Sequence, residues 1–200
     1  MSDLQETMIP VLIDVQETPN PLVRKFALGR SVTGSFDTVE LVDFAQSRKI
    51  SDFGAELFEY PETKRVFLGR DFVSVMVQTE TSWESFSPLV LSKISEYLSA
   101  NKPFVKEGVS AESKEDEAEV SPEDRVVVQQ IKDLIEDRVR PAVARDGGDI
   151  IFRSYHDGIV YLVLKGACAG CPSAQATLKN GVERLLKHFI PQVLEVRQAS

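Results

Sequence analysis

The chain has 200 residues, of which 42% are hydrophobic and 27% charged, and its net charge is −8. This composition is typical of a globular protein, and the acidic balance argues against a nucleic-acid partner. No apolar run approaches the roughly 20 residues that a membrane-spanning helix needs, so we expect no membrane partner.

Two cysteines are too few for a disulfide-stabilised secreted module. The acidic start of the sequence resembles neither a secretory signal nor an Arg-rich transit peptide. We therefore expect a cytoplasmic protein.

The first 104 residues predict a small α+β domain. Thr18-Pro19-Asn20-Pro21 ends the first strand, and Ser51 caps a short helix that stops at Pro61. A capping box at Thr81 and Glu84 opens a longer helix. Its apolar face is formed by Phe86, Val90, Ile94 and Tyr97. The predicted strands are Ile9–Val15, Arg24–Leu28, Val66–Leu68 and Phe72–Val77. Nothing in this domain has the spacing of metal ligands or catalytic groups.

Residues 105–120 predict a flexible acidic linker. The run from Lys106 to Glu119 has no aromatic residue, and it carries six acidic residues against two lysines. Such a segment buries too little apolar surface to offset the entropy of ordering it. We therefore expect two domains that move independently.

Residues 121–200 predict a second domain with the element order α-β-β-α-β. Ser121-Pro122 begins a helix with an apolar stripe, and Pro141 is expected to end it. Asp157-Gly158 is a strong two-residue hairpin signal between two strands. A second helix follows Cys171-Pro172, and a last strand follows Pro191. The fold class is therefore α+β, with two small domains.

The two cysteines, Cys168 and Cys171, lie in the loop between the hairpin and the second helix. Pro172 favours the first helical position, which places Cys171 next to the helix N-terminus, where free N–H groups and the helix dipole stabilise a thiolate. Gly166 and Gly170 flank the first cysteine, and we expect them to let the backbone approach a bulky inorganic group. The loop thus predicts two exposed, activated thiolates.

Three interpretations of this pair remain open from the residues alone. It is an incidental structural pair, a thiol–disulfide redox centre, or half of a metal site that a second copy completes. A tetrahedral zinc site or an iron–sulfur cluster normally takes four protein ligands, and a two-fold dimer brings two CxxC loops together. The histidines, His156 and His188, are expected to play no part in metal binding. For Asp146 and Asp149 we expect turn and capping roles.

The segment Asp146-Gly147-Gly148-Asp149, the hairpin, the Gly166-to-Ser173 loop and the helix after it closely resemble the Nfu family, in its NifU C-terminal-like domain. Residues 10–100, with Thr18-Pro19-Asn20-Pro21 and Phe26, resemble the N-terminal domain that accompanies it.

The resemblance implies an iron–sulfur cluster scaffold or carrier rather than an enzyme. It implies a [4Fe-4S] cluster, or a [2Fe-2S] cluster, held between two subunits with Cys168 and Cys171 as ligands. It also implies a homodimer in the cluster-bound state, apo iron–sulfur proteins as recipients, and upstream cluster assembly proteins as donors. The alternatives are a thiol–disulfide redox protein and a zinc-bridged dimer.

Overall fold

The computed structural model describes residues 12–34, 38–79, 83–107, 124–169 and 172–199, with only the backbone described for 172–175. These residues form two α+β units, as predicted. The first contains β1 (Asp14–Glu17), β2 (Val23–Ala27), β3 (Val39–Leu41), α1 (Phe44–Ile50), α2 (Asp52–Phe58), β4 (Thr63–Leu68), β5 (Phe72–Val77) and α3 (Trp83–Ser99). The second contains α4 (Arg125–Leu134), α5 (Arg140–Arg145), β6 (Gly148–His156), β7 (Ile159–Gly166), α6 (Pro172–Phe189) and β8 (Glu195–Gln198).

The first unit is an antiparallel sheet in the order β1-β2-β5-β4-β3. Its inner face packs against α2 and α3 around a core that includes Phe26, Val75 and Ile94. Ser51 caps α2 as predicted, because its hydroxyl accepts from Gly54 N–H and donates to the Phe104 carbonyl. Phe104 and Val105 are buried in the same core. The first unit therefore extends slightly past the predicted boundary at residue 104.

Strand β5 explains how the two units come together. Every one of its residues is buried, although helices cover only one face of the sheet. Val73, Val75 and Val77 belong to the inner core. Met76 faces the other way and packs with Val23 against Ala167 of the second unit. A strand that is buried on both faces has a nearly continuous apolar sequence, as β5 does apart from Ser74. Here the second covering layer is the other half of the chain.

The second unit has the predicted α-β-β-α-β order, with a sheet β6-β7-β8 in which β8 runs parallel to β7. The predicted Asp157-Gly158 turn is confirmed, with φ of 49° and 79° at its two residues. Helices α4 and α6 pack on the sheet through a core that includes Ile131, Ile150, Leu186 and Val196.

The prediction that Pro141 ends the first helix of this unit is wrong. A π-helical turn, Ile135–Val139, follows α4, and the helix continues as α5. The Arg140 N–H bonds to the Ile135 carbonyl, and Pro141 then falls in the first turn of α5. Because the first turn of a helix does not use that N–H, the proline is tolerated there.

The first strand was predicted too early, at Ile9–Val15, whereas β1 is Asp14–Glu17 and does not include residues 12 and 13. Strands β2, β4 and β5 and the apolar stripe of α3 are confirmed. The sequence missed β3 and α1. Ser121, Thr81, Cys171 and most of the predicted linker lie outside the described residues. In the part of the chain that the structure describes, no helix is long and apolar enough to cross a membrane.

Candidate functional site

Cys168 lies in a 3₁₀ turn, Ala167–Ala169, that follows β7 directly. At this end of the hairpin Gly148 pairs with Gly166, and the Ala167 N–H donates to the Gly147 carbonyl at 3.1 Å. The two glycine-containing segments, residues 145–149 and 165–168, therefore run side by side. We call them the paired glycine segments. Residues that are 20 positions apart in sequence thus form one surface, with the cysteine at its edge.

The glycines are required by close approach of the backbone. A Cβ at Gly148 would lie 2.9 Å from the Cys168 Sγ and 2.6 Å from the Lys165 carbonyl. Gly166 has φ of +66°, and a Cβ there would lie 2.7 Å from the Gly147 carbonyl oxygen. The space beside Gly166 is therefore filled by protein, whereas the sequence had predicted room for an inorganic group. What the Asp-Gly-Gly-Asp motif provides is room for the cysteine sulfur itself.

Cys168 is 7% exposed and packs into the core of the second unit. The prediction of an exposed thiolate is therefore wrong for this cysteine in the described arrangement. Cys171 lies outside the described residues. Helix α6 begins at Pro172. Because Cys171 itself is not among the described residues, its expected position beside the N-terminus of this helix stays a prediction.

The outer face of the first unit's sheet covers the paired glycine segments. We call this surface the capping face; it consists of Val23, Lys25, Glu40, Arg65, Phe67, Ser74 and Met76. Two of its side chains bind main-chain groups of the segments. The Gly166 N–H donates to Glu40 Oε1 at 2.9 Å, and the Lys25 Nζ lies 3.5 Å from the Arg145 carbonyl. Burial lowers the pKa of Lys25, although nearby carboxylates, including Asp146, oppose the shift.

The Thr18-Pro19-Asn20-Pro21 turn also reaches the cysteine. Asn20 is buried, and its Nδ2 donates to the Ala167 carbonyl at 3.3 Å. Pro19 and Asn20 line one side of a cavity of about 80 Å³. Cys168, Asp146 and Leu178 are among the residues that line the rest of it. The motif that carried the N-terminal resemblance thus lines the same cavity as Cys168.

A polar network flanks this contact. Asp149 receives two hydrogen bonds from Arg140, both at 2.8 Å, and a third from the Thr38 hydroxyl at 2.9 Å. Glu136 pairs with Arg140 at 2.6 Å and with Arg70 of the first unit at 3.0 Å. Burial works against ionisation of Glu136, but hydrogen bonds from the two arginines outweigh it and lower its pKa. Asp149 is thus the ion-pair partner of Arg140 within the second unit, and the hydrogen bond from Thr38 connects it to the first unit.

Sequence reasoning singled out Cys168 and the Asp-Gly-Gly-Asp motif, but it did not predict which N-terminal residues contact the second unit around them. These are Asn20, Lys25, Thr38, Glu40, Arg70 and Ser74. One available signal was the almost entirely apolar sequence of β5, in which Ser74 is the single polar residue. His156 and His188 are both exposed. Within the described ranges, no three His, Cys, Asp or Glu side chains come together as a metal site.

Comparison with known proteins agrees with this arrangement of two units. A family model for the NifU-like domain matches residues 131–197, and one for the N terminus of the scaffold protein Nfu/NifU matches residues 13–102. The chain belongs to the Nfu family.

Curated relatives of this Nfu chain align along nearly its whole length. It is 36% identical over 188 residues to a Drosophila willistoni protein named NFU1 iron-sulfur cluster scaffold homolog, mitochondrial. It is 34% identical to the protein of that name from Drosophila persimilis. Each alignment covers 94% of this chain, and the chain spans 63% and 65% of the lengths of these relatives. A solved NifU-like protein from Saccharomyces cerevisiae is 17% identical, with a TM-score of 0.44, and the match covers 48% of this chain and 86% of that one.

Proposed function

We propose that this Nfu chain is an iron–sulfur cluster scaffold or carrier. Two copies hold one [4Fe-4S] cluster between them, with Cys168 and Cys171 of each copy as the four ligands. The relatives named above as iron–sulfur cluster scaffolds support the general role. The cysteine count carries the finer assignment: the whole chain has two cysteines, whereas a [4Fe-4S] cluster takes four thiolates. A two-fold axis doubles the pair to four.

Transfer to a recipient is an exchange of ligands. Each iron–sulfur bond to Cys168 or Cys171 breaks as a cysteine thiolate of the apo-protein forms its own bond to the same iron. The recipient thiols lose their protons, the released cysteines of the scaffold take protons up, and no electron changes hands. The chain therefore needs no catalytic residue in the bond-making sense. Its partners are a second copy, upstream cluster assembly proteins and apo iron–sulfur proteins. A cytoplasmic location stays a prediction.

The test is anaerobic reconstitution with iron and sulfide, followed by an absorbance spectrum, iron and sulfide counts, and molar mass by light scattering. We expect four irons per two chains and a dimer that appears only with the cluster, because metal–sulfur bonds across the interface stabilise only the associated state. Two irons per dimer would indicate a [2Fe-2S] cluster instead. A monomer with a full cluster would overturn the shared site. A colourless zinc dimer, or disulfide reductase turnover without bound iron, would overturn the cluster assignment.

A further inference from the structure

The contact between the first unit and the paired glycine segments lies directly beside Cys168, where Pro19 and Asn20 line one cavity with the cysteine. Three N-terminal side chains hold this contact by binding main-chain atoms. Glu40 accepts from the Gly166 N–H, while Asn20 and Lys25 donate to the carbonyls of Ala167 and Arg145. The hydrogen bonds that Glu40 accepts and Asn20 donates fall within two residues of Cys168. The first unit is therefore hydrogen-bonded to the turn that contains Cys168.

Apolar packing completes the cover. Ala167 lies in a small cluster with Val23 and Met76, and Leu22 packs beside it. A Cβ at Gly166 would lie 3.0 Å from the ring of Phe67, and a Cβ at Gly147 would lie 2.8 Å from the Ser74 hydroxyl. The capping face thus follows the bare backbone of the glycines closely. No second copy can occupy this surface while the first unit is seated there.

The same contact has features of an interface that opens. The buried Ser74 hydroxyl has no hydrogen-bond partner among the described residues, and an unsatisfied buried hydroxyl weakens the contact that buries it. The Arg70–Glu136 pair is about half exposed on both sides, so it contributes little. Interfaces between domains of one chain are commonly polar and permit relative motion.

We infer that the N-terminal unit is a reversible cap, closed over Cys168 in the cluster-free chain, which must withdraw before a second copy can bring its own cysteine pair to the site. The consequence for the second copy rests on the proposed function, whereas the cap itself does not. Closure lowers the fraction of chains that are competent to dimerise. The apparent affinity for the second copy falls in proportion to that fraction. In the closed state it also shields the thiol from oxidants and stray metals.

The cap is tested first without any cluster. Cys171→Ser leaves Cys168 as the only thiol of the chain, so its alkylation by N-ethylmaleimide reports access to that sulfur alone. In this background Ser74→Leu places a larger side chain where Gly147 approaches. Ser74→Ala, the matched control, removes only the hydroxyl. We expect Ser74→Leu to raise the alkylation rate roughly tenfold, the effect of about 1.4 kcal/mol on an opening equilibrium, and Ser74→Ala not to raise it.

A surface variant tests the cap independently, in case Ser74→Leu does not fold. Arg70→Glu places like charges opposite each other at the exposed Arg70–Glu136 pair, without touching either core. Lys102→Glu does the same to an exposed ion pair inside the first unit, with Glu96. We expect faster alkylation in Arg70→Glu and an unchanged rate in Lys102→Glu. Unchanged alkylation in both Ser74→Leu and Arg70→Glu would overturn the cap, and so would an equal rise in Lys102→Glu.

A second measurement separates this inference from the proposed function. Chains with both cysteines are reconstituted anaerobically, and cluster-dependent dimerisation is followed by light scattering. We expect Ser74→Leu and Arg70→Glu to dimerise faster than the wild type. If they load clusters at the wild-type rate and alkylation is unchanged, the cap is overturned and the scaffold role stands. If alkylation responds but no variant binds a cluster, the scaffold role is overturned and the cap stands.

Discussion

The carboxylate of Glu40 accepts a hydrogen bond from the backbone N–H of Gly166 at 2.9 Å, although the two residues are 126 positions apart in sequence. The same oxygen is 2.9 Å from Arg65, which orients the carboxylate. Gly166 lies two residues before Cys168, at the end of β7. An edge strand of the first unit is therefore connected through one backbone amide to the turn that carries the cysteine.

This connection predicts the behaviour of the Gly166 amide. Glu40→Ala removes the acceptor, and an N–H left without a partner in a partly buried site costs about 1–3 kcal/mol. We expect faster hydrogen exchange at Gly166 in Glu40→Ala and a smaller change in Glu40→Gln, which keeps an acceptor oxygen. Exchange is measured by NMR, with the amide of Val196, which donates to Glu183 within the second unit, as the internal reference. Equal exchange at Gly166 in the wild type and Glu40→Ala would show that the bond does not protect this amide.

The Arg140–Asp149 pair is expected to matter for stability. Their side chains are 15% and 5% exposed, and removing one partner of such a pair costs about 3–5 kcal/mol. Because Arg140 keeps Glu136 as a second partner, we place the cost at the lower end of that range. We expect Asp149→Ala to lower the free energy of unfolding by that amount in urea titrations. The control is Glu195→Ala, which breaks an exposed pair with Arg197 and is expected to cost less than about 1 kcal/mol. Similar losses in the two variants would contradict the assigned importance of Asp149.

Two glycines make a matched pair for the backbone argument. Gly166→Ala combines a left-handed φ of +66° with a Cβ placed 2.7 Å from a carbonyl oxygen; strain of the first kind alone costs about 1–2 kcal/mol. We expect a loss of more than about 2 kcal/mol in thermal or urea unfolding. Gly181 lies in α6 with open space around its Cβ position, so Gly181→Ala is expected to stabilise by about 0.5–1 kcal/mol. A stable Gly166→Ala protein would disprove the close approach.

Acid is expected to weaken the junction of the two units through Glu136. Its pKa is lowered from 4.5 in the folded chain, where Arg140 and Arg70 face it. The stabilisation is therefore complete above the unfolded value of 4.5 and is lost as the pH falls through the lowered folded value. We expect Glu136→Gln to show a smaller loss of stability than the wild type on going from pH 6 to about pH 3.5. Other lowered carboxylates, such as Glu96 with a pKa of about 2, act equally in both proteins, so identical pH profiles would refute this role.

The cysteine variants test the ligand count. Cys168→Ser and Cys171→Ser each remove two of four thiolates, because the two-fold axis doubles every substitution, and serine is a poor ligand for iron in a cluster. We expect neither variant to keep a stable cluster after anaerobic reconstitution, by absorbance and iron count. A single variant with normal cluster content and dimer mass would mean that other groups complete the site.

Much of the second unit could be predicted because its signals are local. Asp157-Gly158 determined the hairpin, since adjacent residues with positive φ match the twist of paired strands. Apolar spacing revealed α6, as it did α3 in the first unit. Pro172 marked the start of α6, and Pro191 marked the turn before the final strand. The missed strand β3 has three residues, which is too short for a periodic pattern to emerge. The continuation through Pro141 depends on a π-helical turn that no local pattern announced.

The sequence by itself determined the two α+β units, the α-β-β-α-β order of the second, and the cysteine pair in the loop after the hairpin. Only the tertiary structure decided that the outer face of the first sheet covers the backbone of Gly166 and Ala167, next to Cys168. That contact joins residues up to 147 positions apart, such as Asn20 and Ala167. Propensity and turn chemistry act over a few neighbouring residues, whereas the fit of Glu40, Asn20 and Ser74 to bare glycine backbone exists only once both units have folded.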